Sequence, residues 1–135
     1  MNVEEINRLL YKTLEQIAPI KTSKVSMFDL SYQEKHPPYL RFKFENKSKD
    51  DIIYSKLEEI IQNFNGNLQW KLYSSKLTDN YIIMPCFVDK EDEVKYLNNK
   101  EYFVSILGEV IYNKKIESAI SDIPELAINI SKLIR

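Results

Sequence analysis

The strongest constraint on the fold is a change of hydrophobic period that occurs twice along the chain. Val3, Ile6, Leu10, Leu14 and Ile17 recur at helical spacing, and residues 39–45 then alternate strictly, with Leu40, Phe42 and Phe44 set against Tyr39, Arg41, Lys43 and Glu45. A period of 3.6 buries one stripe of a helix, and a period of two buries one face of a strand. The order then repeats. Ile53, Leu57, Ile60, Ile61 and Phe64 form a second helical stripe, and Leu68, Trp70 and Leu72 alternate with Gln69, Lys71 and Tyr73. Helices interleaved with pairs of strands joined by short turns predict antiparallel hairpins.

Local signals set the boundaries. Asn2 is placed to cap the first helix with Glu5 three residues on, and Pro19 ends it. Residues 25–32 alternate with a change of phase between Met27 and Phe28, which predicts a strand with a bulge. The segment Glu34, Lys35, His36, Pro37, Pro38 reads as the turn before the 39–45 strand. Ser48 or Asp50 caps the second helix, and Asn65-Gly66 reads as its left-handed stop. Residues 81–88 are apolar on both faces and should be the best-covered strand, with Pro85 arguing for an edge or a bulge. The run Asp89, Lys90, Glu91, Asp92, Glu93 ends the sheet. Beyond it Phe103, Ile106, Leu107 and Val110 predict a helix capped by Asn99, although residues 102–112 also read as a β segment broken at Gly108. Ile123, Leu126, Ala127, Ile130, Leu133 and Ile134 predict a last helix with Pro124 in its first turn. The expected architecture is one α+β domain over residues 1–135, in the order αββαββαα. It has a mainly antiparallel sheet of about four strands with helices on one face.

With 44% hydrophobic residues in a chain of 135, such a domain can bury a core without a metal or a disulfide. The net charge of −1 generates no field that would draw the chain to nucleic acid or an anionic membrane, and Arg8, Arg41 and Arg135 are the only arginines. No apolar run approaches the length of a membrane span, and the acidic start Met1-Asn2-Val3-Glu4-Glu5 is not that of a secretory signal. The single Cys86 forms no internal disulfide, so a reducing compartment, the cytoplasm, is the expected location. No cofactor is expected, because Gly66 and Gly108 are the only glycines and cannot form a phosphate-binding loop. Ile, Lys, Asn and Tyr, whose codons are A/T-rich, supply 53 residues against 3 Ala.

Few residues carry chemistry. His36, the only histidine, sits in a proline turn with no second histidine to share a metal, and Cys86 lies on an apolar strand with no adjacent cation to activate it. No catalytic residue and no metal ligand is assigned. The acidic residues Asp89, Glu91, Asp92 and Glu93 read first as a solvated cap of the next helix, second as a negative patch for a basic partner and last as a Ca²⁺ site, for which the Gly and terminal bidentate Glu of an EF-hand loop are missing. Tyr39, Tyr73 and Tyr81 fall on or near polar strand faces, where tyrosine serves both strand propensity and interfaces.

Size, codon bias and the lack of catalytic motifs resemble the small immunity proteins that neutralise bacterial toxins and, more remotely, small α+β secretion chaperones. The resemblance is one of profile and carries no residue roles. It implies a non-enzymatic domain that occludes one protein partner, such as a cognate toxin. The acidic run and the strand-face tyrosines, independently of the resemblance, make Asp89, Glu91, Asp92, Glu93, Tyr39, Tyr73 and Tyr81 the expected contact set. The alternatives are a small-ligand binder or enzyme that uses His36 with a carboxylate and a tyrosine in a pocket between sheet and helices, and a domain that oligomerises through an open sheet edge.

Overall fold

In a computed structural model, which describes residues 3–17, 25–33, 36–44, 51–74, 80–91 and 93–134, both changes of period become changes of secondary structure. The elements are α1 (Val3–Ile17), β1 (Val25–Gln33), β2 (His36–Phe44), α2 (Asp51–Asn63), β3 (Trp70–Ser74) and β4 (Asn80–Pro85). A 3-10 turn at Glu93–Tyr96, α3 (Lys100–Leu107) and α4 (Glu109–Ile134) follow. This is the expected α+β order. The caps at Asn2, Ser48 and Asp50, the stop at Pro19 and the connections at Glu34-Lys35 and Thr78-Asp79 lie outside the described residues, as do the side chains of Val3, Ile6, Leu14, Ile17, Ile53 and Ile134.

The strands form one antiparallel sheet in the order β1-β2-β4-β3. Directly opposed residues share a face, so the register assigns both faces. Leu30, Leu40, Ile83 and Leu72 stand in one row, with Phe28, Phe42 and Tyr81 in the next row of the same face. Helices cover this face: Tyr54 of α2 packs against Tyr81 at 5.6 Å, Asp122 of α4 accepts from the Trp70 indole, and α1 lies along α4. Leu40, Phe42, Ile83 and Leu57 are fully buried there with Ile120, Ile123, Leu126 and Ile130 of α4. Of the α1 stripe, Leu10 reaches this core.

Several expectations are corrected by backbone geometry. The bulge falls at Ser26, between the pairs Val25/Phe44 and Met27/Lys43, one residue earlier than the apolar phase suggested. β4 ends at Pro85, and Pro85 is not on an edge, because β4 lies inside the sheet. The Cys86 N–H donates to the Gln69 carbonyl (2.8 Å), which directs Ile82 and Met84 toward β3 as well and turns Pro85 toward β2. Extending the register places Pro38 opposite Pro85. Neither has an N–H, and the β2–β4 ladder accordingly stops at Leu40/Ile83.

Gly66 is not left-handed. Its missing side chain makes room, since a Cβ there would lie 2.7 Å from Asp122 Cγ. Gly108 takes the positive φ of 82° and separates α3 from α4, which splits the stripe expected from Phe103 to Val110: Phe103 is buried and Val110 is 70% exposed. Asn99 caps α3 through Tyr102 N–H at 3.4 Å. Pro124 lies inside α4, not in a first turn. A proline within a helix costs about 3 kcal/mol. Burial of Ile116, Ile120, Ile123, Leu126 and Ile130 along this helix outweighs it.

Candidate partner-binding surface

Strand alternation that buries Leu40 and Ile83 turns Asp29, Arg41, Ile82 and Tyr73 to the opposite face, where they form one row across all four strands. Each of the four is half-buried. The Arg41 guanidinium donates through Nε to Asp29 Oδ1 (3.3 Å) and through Nη2 to Asp29 Oδ2 (3.1 Å), a two-pronged geometry that fixes both side chains. The bond to Asp29 also pushes the Arg41 pKa up, so its charge is permanent. Tyr73 ends the row on β3, its phenol pushed up to about 12 by burial, with Cys86, Glu93 and Asp89 adding to the rise. The row therefore offers a rigid cation, an aliphatic side chain and a neutral phenol. In the next row Lys71 pairs with Asp89 at 3.4 Å.

The turn after β4 is organised by a buried carboxylate. Glu93, 1% exposed, accepts from Phe87 N–H (2.6 Å) and Val88 N–H (3.1 Å) through Oε2, while Oε1 has no hydrogen-bond partner among the described residues. Burial pushes the Glu93 carboxyl above its ordinary range, and the backbone N–H groups of Phe87, Val88 and Asp89 together with the Lys71 charge act against that rise. Asp89 occupies the left-handed region at φ 55°, which Asp tolerates, and its side chain is exposed beside Glu91.

The contact set expected from sequence is thus divided. Asp89 and Glu91 are exposed, the Asp92 side chain lies outside the described residues, and Glu93 is internal and cannot serve in a surface patch. Tyr73 stands on the face opposite the α2-covered one, which is open at the Asp29–Arg41–Ile82–Tyr73 row but covered in the next, where Met84 is 1% exposed. Tyr39 shares that face by register but is buried, with the His36 ring packed 5.3 Å away. Tyr81 belongs to the helix-covered face, stacked on Phe42 at 5.2 Å. The expected placement of Tyr39 and Tyr81 on a wet surface is therefore corrected. His36 is no exposed turn residue either: it opens β2, is 5% exposed, and its Nδ1–H donates to the Pro37 carbonyl at 2.7 Å.

Cys86 is half-buried just past β4. Burial pushes its thiol up to about 11, with Lys71 opposing the rise, so the neighbouring cation missed in sequence does not yield a thiolate at neutral pH. Among the described residues no cluster of His, Cys, Asp and Glu could hold a metal ion, and no helix is long and apolar enough to cross a membrane.

Sequence reasoning missed two groups. Arg41 was legible in phase, because the 39–45 alternation already placed it away from the core, but the faces of Asp29 and Ile82 and the register that lines them up with it were not. Asp122 was missed outright. It is 5% exposed and binds Asn67 N–H (2.8 Å), Leu68 N–H (2.9 Å) and Trp70 Nε1–H (3.1 Å), which fastens the start of β3 to α4. Its one sequence signal was an acid among the apolar residues Ile120, Ile123 and Leu126.

A cleft of about 360 Å³ runs between α2 and β3, lined by Tyr54, Glu58, Ile61 and Gln62 on one side and by residues 69–73 on the other. Ile106, Val110 and Ile111 make a separate exposed apolar corner where α3 meets α4. Comparison with protein-family models, with curated protein sequences and with solved structures returned no match.

Proposed function

We propose that this protein is a non-enzymatic binding domain that engages one partner protein through the open face of its sheet. It would act by covering that partner, as do the small bacterial inhibitors and immunity proteins whose profile the sequence resembles. The observation that carries the reading is the row Asp29, Arg41, Ile82 and Tyr73. Helices cover the opposite face, and this row joins a preorganised Arg to a Tyr and an aliphatic side chain. Tyr and Arg are residue types that concentrate binding energy in interfaces. Exposed Asp89 and Glu91 form a rim suited to steering a basic partner. A pocket enzyme built on His36 has less support, because the ring is buried and one of its nitrogens is engaged by Pro37.

The test is affinity purification from the native host with the wild-type protein and with Arg41→Glu, Tyr73→Ala and Val110→Ser, each first checked for cooperative thermal unfolding. One protein should be retained by wild type and Val110→Ser and lost by the other two, with Tyr73→Ala weakening binding about thirtyfold or more. Loss through Val110→Ser alone would place the partner at the α3–α4 corner and end the open-face reading. Unchanged capture by Arg41→Glu and Tyr73→Ala would do the same.

A further inference from the structure

The outer edge of β3 has a geometry of its own. Because the Cys86 N–H bonds the Gln69 carbonyl, the pairs Lys71/Met84 and Tyr73/Ile82 carry the bonds between β3 and β4. The main-chain N–H and C=O groups of Trp70, Leu72 and Ser74 therefore point away from the sheet. Among the described residues these outward groups have no backbone partner. β3 keeps its register with β4 without a shift over its whole length. The cleft of about 360 Å³ lies along this edge, with Ile61, Trp70 and Leu72 as apolar lining. Tyr54, Glu58 and Gln62 follow one another at helical spacing on its α2 wall.

Charge narrows the occupant. Lys71 is compensated by Asp89, whereas exposed Glu58 receives, among the described residues, a neutral donor, Gln62 Nε2 at 3.3 Å. Glu58 also helps to hold the Tyr54 phenol up, after burial. Among the described residues Glu58 thus has no cationic partner, and the α2 wall of the cleft carries its negative charge above an apolar floor.

We propose that the β3 edge binds an extended peptide segment of a partner protein as a fifth strand, with apolar side chains directed toward α2 and a Lys or Arg opposite Glu58. Main-chain bonds to Trp70, Leu72 and Ser74 supply the affinity, and the Glu58 wall selects the sequence. The cleft shares Tyr73 with the row on the open face, but Arg41 lies two strands away and the outward main-chain groups of β3 take no part in that row, so the two readings are tested apart through Arg41.

The probe is a fluorescein-labelled synthetic peptide of alternating Val and Thr with one central Lys. Two further versions are N-methylated on alternate residues in opposite phases, so that one phase cannot form the edge bonds while its side chains are kept. Binding is read by fluorescence anisotropy and by amide hydrogen exchange at Leu72 and Ser74. Expected are saturation below about 1 mM, slowed exchange at both amides, and a loss of about tenfold or more for one methylated phase. Glu58→Lys should weaken the peptide about threefold or more with unchanged thermal unfolding. Equal binding of both methylated peptides, or no protection of Leu72 and Ser74 at about 1 mM peptide, would overturn the proposal. So would a dimer in sedimentation of the protein alone with both amides already protected, since a second copy would then occupy the edge. Arg41→Glu should leave peptide binding unchanged, which separates failure here from failure of the open-face reading.

Discussion

The two edges of the sheet are built differently. β1 is nine residues long and irregular at both ends, with one register shift at Ser26 and another opposite Pro37 and Pro38. β3 is five residues long and unshifted, and it borders a cleft rather than open solvent. Bulges discourage edge-to-edge pairing, and β1 carries such irregularities, whereas the unshifted β3 leaves a short regular edge. Their anchoring differs as well. The entry to β3 and the turn behind β4 are fastened by two buried carboxylates, Asp122 and Glu93, whereas the link from β1 to β2 includes the half-exposed pair Asp29–Arg41. The distorted edge has its polar tie at the surface, beside the apolar anchor of Phe28, and the regular edge has its polar ties within.

The largest expected effect breaks the β3 anchor. Asp122→Ala leaves Asn67 N–H, Leu68 N–H and the Trp70 indole without their acceptor and should cost about 4 kcal/mol in urea unfolding. Asp122→Asn should recover part of that, because its carbonyl oxygen still accepts. If Asp122→Ala costs less than about 1 kcal/mol, the anchoring of β3 from within is wrong.

Glu93 comes next. Glu93→Ala removes the acceptor of Phe87 and Val88 N–H and should cost about 2 to 3 kcal/mol. Its pH dependence has a definite sign. The folded-state pKa is raised above the ordinary 4.5, so the folded protein holds this proton more tightly than the unfolded chain. The stability that results is present in full below the unfolded value and is lost as pH rises through the folded one. Glu93→Gln should remove that segment of the stability–pH curve while keeping an acceptor for the turn. An unchanged slope above pH 4.5 in the Gln variant would show that Glu93 titrates normally.

These two carboxylates also show where the sequence was readable and where it was not. The alternation over residues 39–45 and the stripe from Leu57 to Phe64 are local patterns, and both became the expected elements. Glu93 could not be singled out, because a buried acceptor and a solvated member of an acidic run look alike until the chain turns back on Phe87 and Val88. Tyr39 had the right phase, but phase does not say what folds over a face. Tyr81 needed the register with Phe42, which is set by pairing across about 40 residues of chain. Pro124 misled because the local cost of proline in a helix is visible in sequence and the burial that offsets it is not.

A smaller effect tests the direction of the edge groups. Ser74→Pro deletes an outward N–H and should cost less than about 1 kcal/mol, whereas Tyr73→Pro deletes an N–H bonded to β4 and should cost about 3 kcal/mol or more. Thermal unfolding of the two variants side by side reads the difference. Equal losses would mean that the outward direction assigned to Trp70, Leu72 and Ser74 is mistaken, and the comparison of the edges would lose its basis.

The smallest effect belongs to the other edge. Asp29 and Arg41 have side chains 36–38% exposed, so water and salt weaken their attraction even though the fork geometry is good. Asp29→Ala should therefore lower stability by only about 0.5 kcal/mol at low salt, and the difference from wild type should shrink further at about 1 M NaCl, where the screening length is near 3 Å. Denaturant titrations at both salt concentrations measure it. A salt-independent loss approaching that of Asp122→Ala would mean that the pair holds β1 as firmly as the buried carboxylates hold the other side. The division between a surface-held and an internally held edge would then fail, while the role of Arg41 as a preorganised contact on the open face would gain weight.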